Sequence, residues 1–304
     1  MAEARRGHAI LCAGIAVQDI MMRVDEFPAP GTKVSASDFI VTGGGCAANA
    51  AVAAARLGAR AGFSGPLGDD EVSNRIIADL GREHVDCAGV VRVKGATASV
   101  SLILIDAAGE KSIATRRGVN LAAARPADPA RLVSSADAVL VDNRFPEFVT
   151  PICQAARARA IPVVIDGDKA TKADDPLLAL GTHVVFSSEG LRGTVGGNDL
   201  GAALAQMAKH LNCFLAVTDG PDGMLWLEGK KLHRLPAFNI TAVDTLGAGD
   251  TFHAAFTLGV LEGREMPDIM RFASAAAAVK CLRFGGNAVT PTRAETDEFL
   301  RKSS

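Results

Sequence analysis

"DAVLVDNRFPEFVTPICQAARARAIPVVID", residues 137–166, decides the fold. Two apolar runs of strand length, DAVLVD (137–142) and IPVVID (161–166), flank PEFVTPICQAARARA (146–160), which has helical length and pattern. Continuous apolar runs mark strands buried on both faces, and an intervening helix lets successive strands lie parallel. The same rhythm extends in both directions. Before it come AILCAGIAV (9–17), Ala-rich CAANAAVAAARLG (46–58), AGFSG (61–65) and amphipathic EVSNRIIADLGREH (71–84). After it come THVVFSS (182–188), DLGAALAQMAKHLN (199–212) and CFLAVTDG (213–220). The spacing predicts a three-layer α/β/α protein with a central, mostly parallel sheet, residues 1–304 forming one domain.

Two stretches, about 20–42 and 96–119, alternate instead of running apolar. TASVSLILIDAAGEKSIATRR (97–117) reads as a hairpin turning at Ala108-Gly109. Two such insertions beside a parallel core predict a small β lid over a cleft; a decorative edge sheet is the plainer alternative.

Bulk composition excludes several classes. The net charge of −2 provides no field for nucleic acid, and pairs such as Arg5-Arg6, Arg116-Arg117 and Lys230-Lys231 read as solvated surface. Six dispersed cysteines form no CxxC pair and no ligand spacing with histidine, which points to reduced thiols in a cytoplasmic protein. No run of about 18 apolar residues suggests a membrane span.

Chemistry concentrates in three loops. In DTLGAGDTFHAAF (244–256), Gly247, Ala248 and Gly249 leave the backbone nearly bare where an apolar helix begins, and Asp250 follows at once. Free amides at a helix start attract anions, so a carboxylate beside them is an odd choice for packing alone. TGGGCAANAAVAAARLG (42–58) holds Gly43 and Gly44, which allow close approach to the main chain, and Asn49, able to bond a hydroxyl; it is neither a dinucleotide fingerprint nor a Walker loop. VTDGPDG (217–223) ends a strand with Thr218, Gly220 and Gly223, where parallel sheets bind ligands, though a plain hairpin turn fits equally.

Together the glycine-rich segment, the D-T-x-G-A-G-D element at 244–250 and GPLGDDEVSN (65–74) resemble the ribokinase-like (PfkB) carbohydrate kinases, from about residue 8 to 300. The resemblance implies that Asp250 is the catalytic base, with Gly247, Ala248 and Gly249 an anion hole for the phosphoryl group in flight. It implies sugar contacts from Asp19, at the end of the first strand, and from Gly43, Gly44 and Asn49. Thr218, Gly220 and Gly223 would contact ATP. ASAAAAVKCLRFGGNA (273–288), with Asn287, would flank the adenine and a monovalent-cation site such as one for K⁺. Mg²⁺ is implied with ATP, yet the N-x-x-E element of many members reads FSSEGLRGTVGG (186–197) here, so Glu189 would act through water if at all. A homodimer formed through the lid is implied as well.

The wording of the chain is most similar to the sulfofructose kinase branch, with ketohexokinase-like enzymes nearby. An anionic end group would need cations in the cleft: Arg144 after VLVDN, Lys33 in the first lid segment, or Arg116 and Arg117. Each could equally be a solvated edge or a structural ion pair. Thr115 stands where the sulfo-sugar branch favours asparagine, leaving a plain ketose or a sugar phosphate open. His253 reads as a packed helix residue; Asp166 and Asp168 either line the cleft or cap the next segment. The competing classes are a non-catalytic sugar or nucleotide sensor on the same fold and a nucleoside kinase.

Overall fold

The computed structural model describes residues 7–303; Arg5 and Arg6 lie outside them. β1 (Ala9–Ala13) leads into β2 (Val17–Arg23), and β3 (Asp38–Gly44) returns to α1 (Cys46–Arg56). β4 (Arg60–Ser64), β5 (Pro66–Gly68), α2 (Glu71–Arg82) and β6 (Val91–Val93) precede the hairpin of β7 (Ser99–Ile105) and β8 (Lys111–Arg116). Alternation then runs through α3 (Pro129–Val133), β9 (Ala138–Asp142), α4 (Pro146–Ala158), β10 (Val163–Gly167), β11 (His183–Ser187), α5 (Ser188–Val195), α6 (Leu200–Met207) and β12 (Phe214–Thr218). A second hairpin, β13 (Met224–Glu228) and β14 (Lys231–Leu235), is followed by α7 (Ala248–Leu261), α8 (Met266–Cys281) and α9 (Arg293–Lys302).

The main sheet has the order β14-β13-β12-β11-β10-β9-β1-β4. Its six strands from β12 to β4 are parallel, and β13 and β14 are antiparallel additions. Successive side chains point to opposite faces of a strand, so one strand feeds two cores. Ile10, Cys12, Leu140 and Val164 pack with α1, α7 and α8. Leu11, Ala13, Val139, Val141 and Ile165 pack with α4 and α6 on the other face. At about 25 cal/mol per Å² of apolar surface, burial on both faces is what holds such strands in the middle layer.

A four-stranded sheet of order β3-β2-β7-β8 forms the lid. It has a small core of its own, Met21, Ile103 and Ile105, closed by Ile40, Leu246 and Phe284. The run 9–17 is not one strand, contrary to the expectation from its apolar continuity. It breaks at Gly14, whose φ of 147° takes the chain out of the main sheet, and β2 belongs to the lid. Asp19 therefore lies on a lid strand and not at the end of the first strand.

Among the described residues all six cysteines are free, and no helix is long and apolar enough to cross a membrane.

Candidate active site

α7 opens on Gly247 at φ 76°, a left-handed conformation that costs glycine little. No side chain caps this helix start, and a Cβ added at Gly249 would meet nothing within 4 Å. Internal packing therefore does not explain the bareness of residue 249; open space over the first-turn amides does, and those amides together with the helix dipole favour an anion. Asp250 projects from that turn, and its Oδ2 accepts a 2.7 Å bond from Asn49 Nδ2 on α1. Burial raises its pKa to about 7, the nearby Asp166 charge adds to the rise, and the Asn49 bond opposes it. No closed ion pair ties the carboxylate down among the described residues. A carboxyl poised near neutrality beside this helix start, where no side chain caps the amides and Ala248 N reaches Thr245 O at 3.3 Å, can take a proton from an alcohol while the first-turn amides hold a phosphoryl group.

The carboxyl ends of β9 and β10 bring further acids to this edge. Buried Asp142 accepts from the amides of Ile15 (2.7 Å), Ala47 (3.1 Å) and Arg144 (2.9 Å). It thereby pins the β1–β2 link, the start of α1 and the strand's own exit. Gly14 is required beside it, because a Cβ there would stand 2.1 Å from Asp142 Oδ2. Buried Asp166 lies close to Asp250, and its Oδ1 has no hydrogen-bond partner. Cys46, Asp166 and Asp250 each offer one ligand atom within 4.8 Å of the others, but a thiol mixed with carboxylates is not the all-oxygen set that Mg²⁺ prefers. His253 is buried in α7: Nδ1 lies 2.7 Å from Gly249 O and Nε2 3.1 Å from Val185 O, tying the first turn of α7 to β11, and Nε2 also stands 3.5 Å from Asp166 Oδ1.

On the lid side, Asp19 of β2 faces Thr42 of β3 and Ser101 of β7, and Ser101 faces Thr115 of β8. Ser101 Oγ and Thr115 Oγ1 are 3.0 Å apart, and Thr42 Oγ1 donates to Asn287 Oδ1 at 2.7 Å. The result is one polar row across four strands. Burial raises Asp19 to about 6, with the Ser101 bond pulling down and the Asp244 charge pushing up. Both glycines of the 43–44 pair make room for it: a Cβ on Gly44 would come 2.0 Å from Asp19 Oδ2, and one on Gly43 2.7 Å from Asn287 Nδ2. Asn49 is 6% exposed, and its Oδ1 has no hydrogen-bond partner in the protein, an acceptor suited to a hydroxyl.

Thr218 ends β12 beside Ser187 of β11, and Gly220 and Gly223 follow with φ of 52° and 91°. A Cβ on Gly223 would meet Leu235 O at 2.2 Å, whereas Gly220 faces open space. Ser187 caps α5 by accepting from Gly190 N at 3.0 Å, and Glu189 is exposed in that helix's first turn. Asn287, expected beside the nucleotide, is instead placed against Thr42 and Gly43, because Asp244 Oδ2 pins the Gly285 and Gly286 amides (3.2 and 2.9 Å) just before it. Lys33 is exposed in the loop between β2 and β3. Arg144 does stand at a strand's carboxyl end, but its guanidinium is paired with Asp168 and is not the free cation that an anionic sugar would require. A cavity of about 610 Å³ lies elsewhere, along β4 and the amino ends of β1 and β9, away from the carboxyl edge where open α/β sheets bind ligands.

Comparisons with known proteins give the family and the fold. The chain matches the family described as pfkB family carbohydrate kinase over residues 8–293, and it belongs to that family. It is similar to a ribokinase of Bacillus subtilis (strain 168), with 29% identity over 96% of this chain and 99% of the relative. A provisionally assigned ribokinase of known structure from Agrobacterium tumefaciens superposes with a TM-score of 0.93 at 36% identity, covering 97% of this chain and 98% of that one. The Arabidopsis thaliana ribokinase complexed with ribose and ATP gives 0.83 at 25% identity, covering 97% and 99%. The chain is thus an ATP-dependent carbohydrate kinase with the ribokinase-like fold.

Thr42, Ser101, Asp142 and Lys280 had no individual signal in the sequence. Only the strand pairings and the distant acids that meet them give them a place.

Proposed function

We propose that residues 1–304 act as one kinase unit that transfers the γ-phosphoryl group of ATP to a hydroxyl of a neutral furanose sugar. Asp250 takes the hydroxyl proton, Gly247, Ala248 and Gly249 hold the transferred group, and Asp19, Asn49, Gly43 and Gly44 orient the sugar under the lid. The observation that carries this reading is the Asn49–Asp250 pair: one amide oxygen without a partner and one carboxyl held near neutrality, side by side at an uncapped helix start.

Thr218, Gly220 and Gly223 suit the nucleotide phosphates, since backbone with positive φ presents amides and Gly220 leaves room for a ligand. Mg²⁺, when bound with ATP, neutralises phosphate charge, and exposed Glu189 offers it a hard oxygen through water. The acceptor is read as neutral because Asp19 puts an acid in the polar row and Arg144 is engaged by Asp168. Ribose fits that chemistry, as in the Arabidopsis relative's complex; a sulfonated or phosphorylated sugar would meet Asp19 while the strand-end guanidinium of Arg144 is already taken by Asp168.

The lid's outer face supports a homodimer. Phe39, Met22 and Leu104 form one apolar row and Val41, Ile20 and Leu102 a second, with Phe39 56% and Leu102 42% exposed. An exposed apolar sheet face is a place for a second copy to pack.

The test is an ADP-release assay across ribose, fructose, nucleosides, sugar phosphates and sulfofructose. Turnover is expected with a neutral sugar and lost in Asp250→Asn. Binding without turnover for every sugar would make the chain a sensor, and preference for an anionic sugar would overturn the acceptor assignment.

A further inference from the structure

The family resemblance implies a monovalent-cation site near the end of α8, and the side chains found there do not fit a free ion. Asp244 and Lys280 both have fully buried side chains. Lys280 Nζ lies 2.9 Å from Asp244 Oδ2 and 3.0 Å from the Asp244 main-chain oxygen. The carboxylate also collects the amide of Leu246 on Oδ1 (2.8 Å) and those of Gly285 and Gly286 on Oδ2. Main-chain bonds from Val243 and Asp244 to Cys281 O, 2.8 and 3.2 Å, join the same loop segment to the end of α8.

Asp244 therefore fixes two loops at once. One runs through Leu246 into Gly247 and the uncapped start of α7; the other runs through Gly285 and Gly286 to Asn287 and Thr42. A buried carboxylate with its own carbonyl beside it needs a positive partner, and desolvating that pair is costly enough that apolar packing would be the cheaper filling. Burial pulls the Lys280 ammonium below its ordinary value, and Asp244 opposes that pull. An ammonium and a potassium ion have similar size and equal charge, so a lysine tip can stand where an oxygen-coordinated K⁺ would otherwise sit.

We propose that Lys280 is a built-in monovalent cation, a positioning residue that holds Asp244 and the α7 amides in place so that phosphoryl transfer needs no free K⁺. The inference rests on the phosphate-hole reading of residues 247–249.

The experiment compares the wild-type protein with Lys280→Ala and Lys280→Met in tetramethylammonium buffer, with and without added K⁺ or NH₄⁺. Two readouts are followed: kcat and KM in the ADP-release assay, and the thermal midpoint without substrates. Wild-type turnover and midpoint should be the same in all three buffers. Lys280→Ala should lose on the order of a hundredfold in kcat, the scale of a small misplacement of catalytic groups. It should recover rate and midpoint with K⁺ or NH₄⁺ and not with tetramethylammonium, which is too large for the space. Lys280→Met, which fills the space without charge, should stay impaired in every buffer. Activation of the wild type by K⁺ of several-fold would overturn the proposal, and so would a folded Lys280→Ala that answers neither ion in either readout. Should no sugar be turned over, the thermal midpoints still decide whether an ion replaces the lysine, which separates this failure from that of the kinase assignment.

Discussion

Replacing Asp250 with asparagine should abolish most turnover and, at the same time, stabilise the protein in alkaline solution. The carboxyl moves from an ordinary 3.8 in the unfolded chain to about 7 in the fold. A folded-state pKa raised in this way contributes stability that is complete below the unfolded value and is lost as pH climbs through the folded one. That span corresponds to a ceiling of about 4 kcal/mol at 1.36 kcal/mol per pKa unit. Asp166 shares the same charge balance, so about 1–2 kcal/mol is the working expectation. Asparagine keeps the shape and can still accept from Asn49 Nδ2, so the substitution removes charge and not packing. Urea unfolding of both proteins between about pH 5 and pH 8 should show the variant gaining on the wild type as pH rises. Turnover in the same preparations should fall by about 10²–10⁴, the usual worth of a positioned base. A variant no more stable than wild type near pH 8 would refute the burial argument. One that keeps near-normal turnover would refute the base assignment.

Wild-type kcat/KM should rise with pH through about 7, and Asn49→Ala should move that inflection upward while raising the sugar KM, since the Asn49 bond lowers the Asp250 value; pH–rate profiles measure both. Gly44→Ala puts a Cβ 2.0 Å from Asp19 Oδ2, so steady-state kinetics should show a sugar KM raised by about tenfold or more with the ATP KM little changed. Gly249→Ala meets no protein atom within 4 Å and should leave the thermal midpoint unchanged or raised, as alanine favours helix, while lowering kcat by crowding the phosphate. Phe39→Asp on the exposed lid face should shift the protein from dimer to monomer in light scattering, with its fold intact by circular dichroism.

The inner parallel strands of the main sheet were legible because they are buried on both faces, as Val139–Val141 and Val163–Ile165 are, whereas the half-exposed β13 and β14 carried no such mark. The D-T-x-G-A-G-D element was legible because an uncapped glycine helix start beside an acid is rare as packing. The break after Ala13 was not legible. Nothing local distinguishes Gly14 from other strand glycines, and the reason for its conformation is Asp142, far along the chain. The polar row of Thr42, Asp19, Ser101 and Thr115 exists only through three strand pairings, which a linear pattern does not record. Lys280 lies in an alanine-rich helix and carries no signal of its own; its partner is an aspartate that loop 282–287 folds against it.

The lid's three-residue core is closed by Leu246 and Phe284 of the main body, and the lid is tied down further by the Thr42–Asn287 bond and by the short link that Asp142 pins. On the proposed reading, the lid's polar row adds to acceptor choice from one side, while Asp250 and Asn49 act from helices α7 and α1 of the main body. Exchanges along the lid row can retune which alcohol is admitted without repacking the helices that aim Asp250, so related enzymes can diverge in diet while keeping one engine.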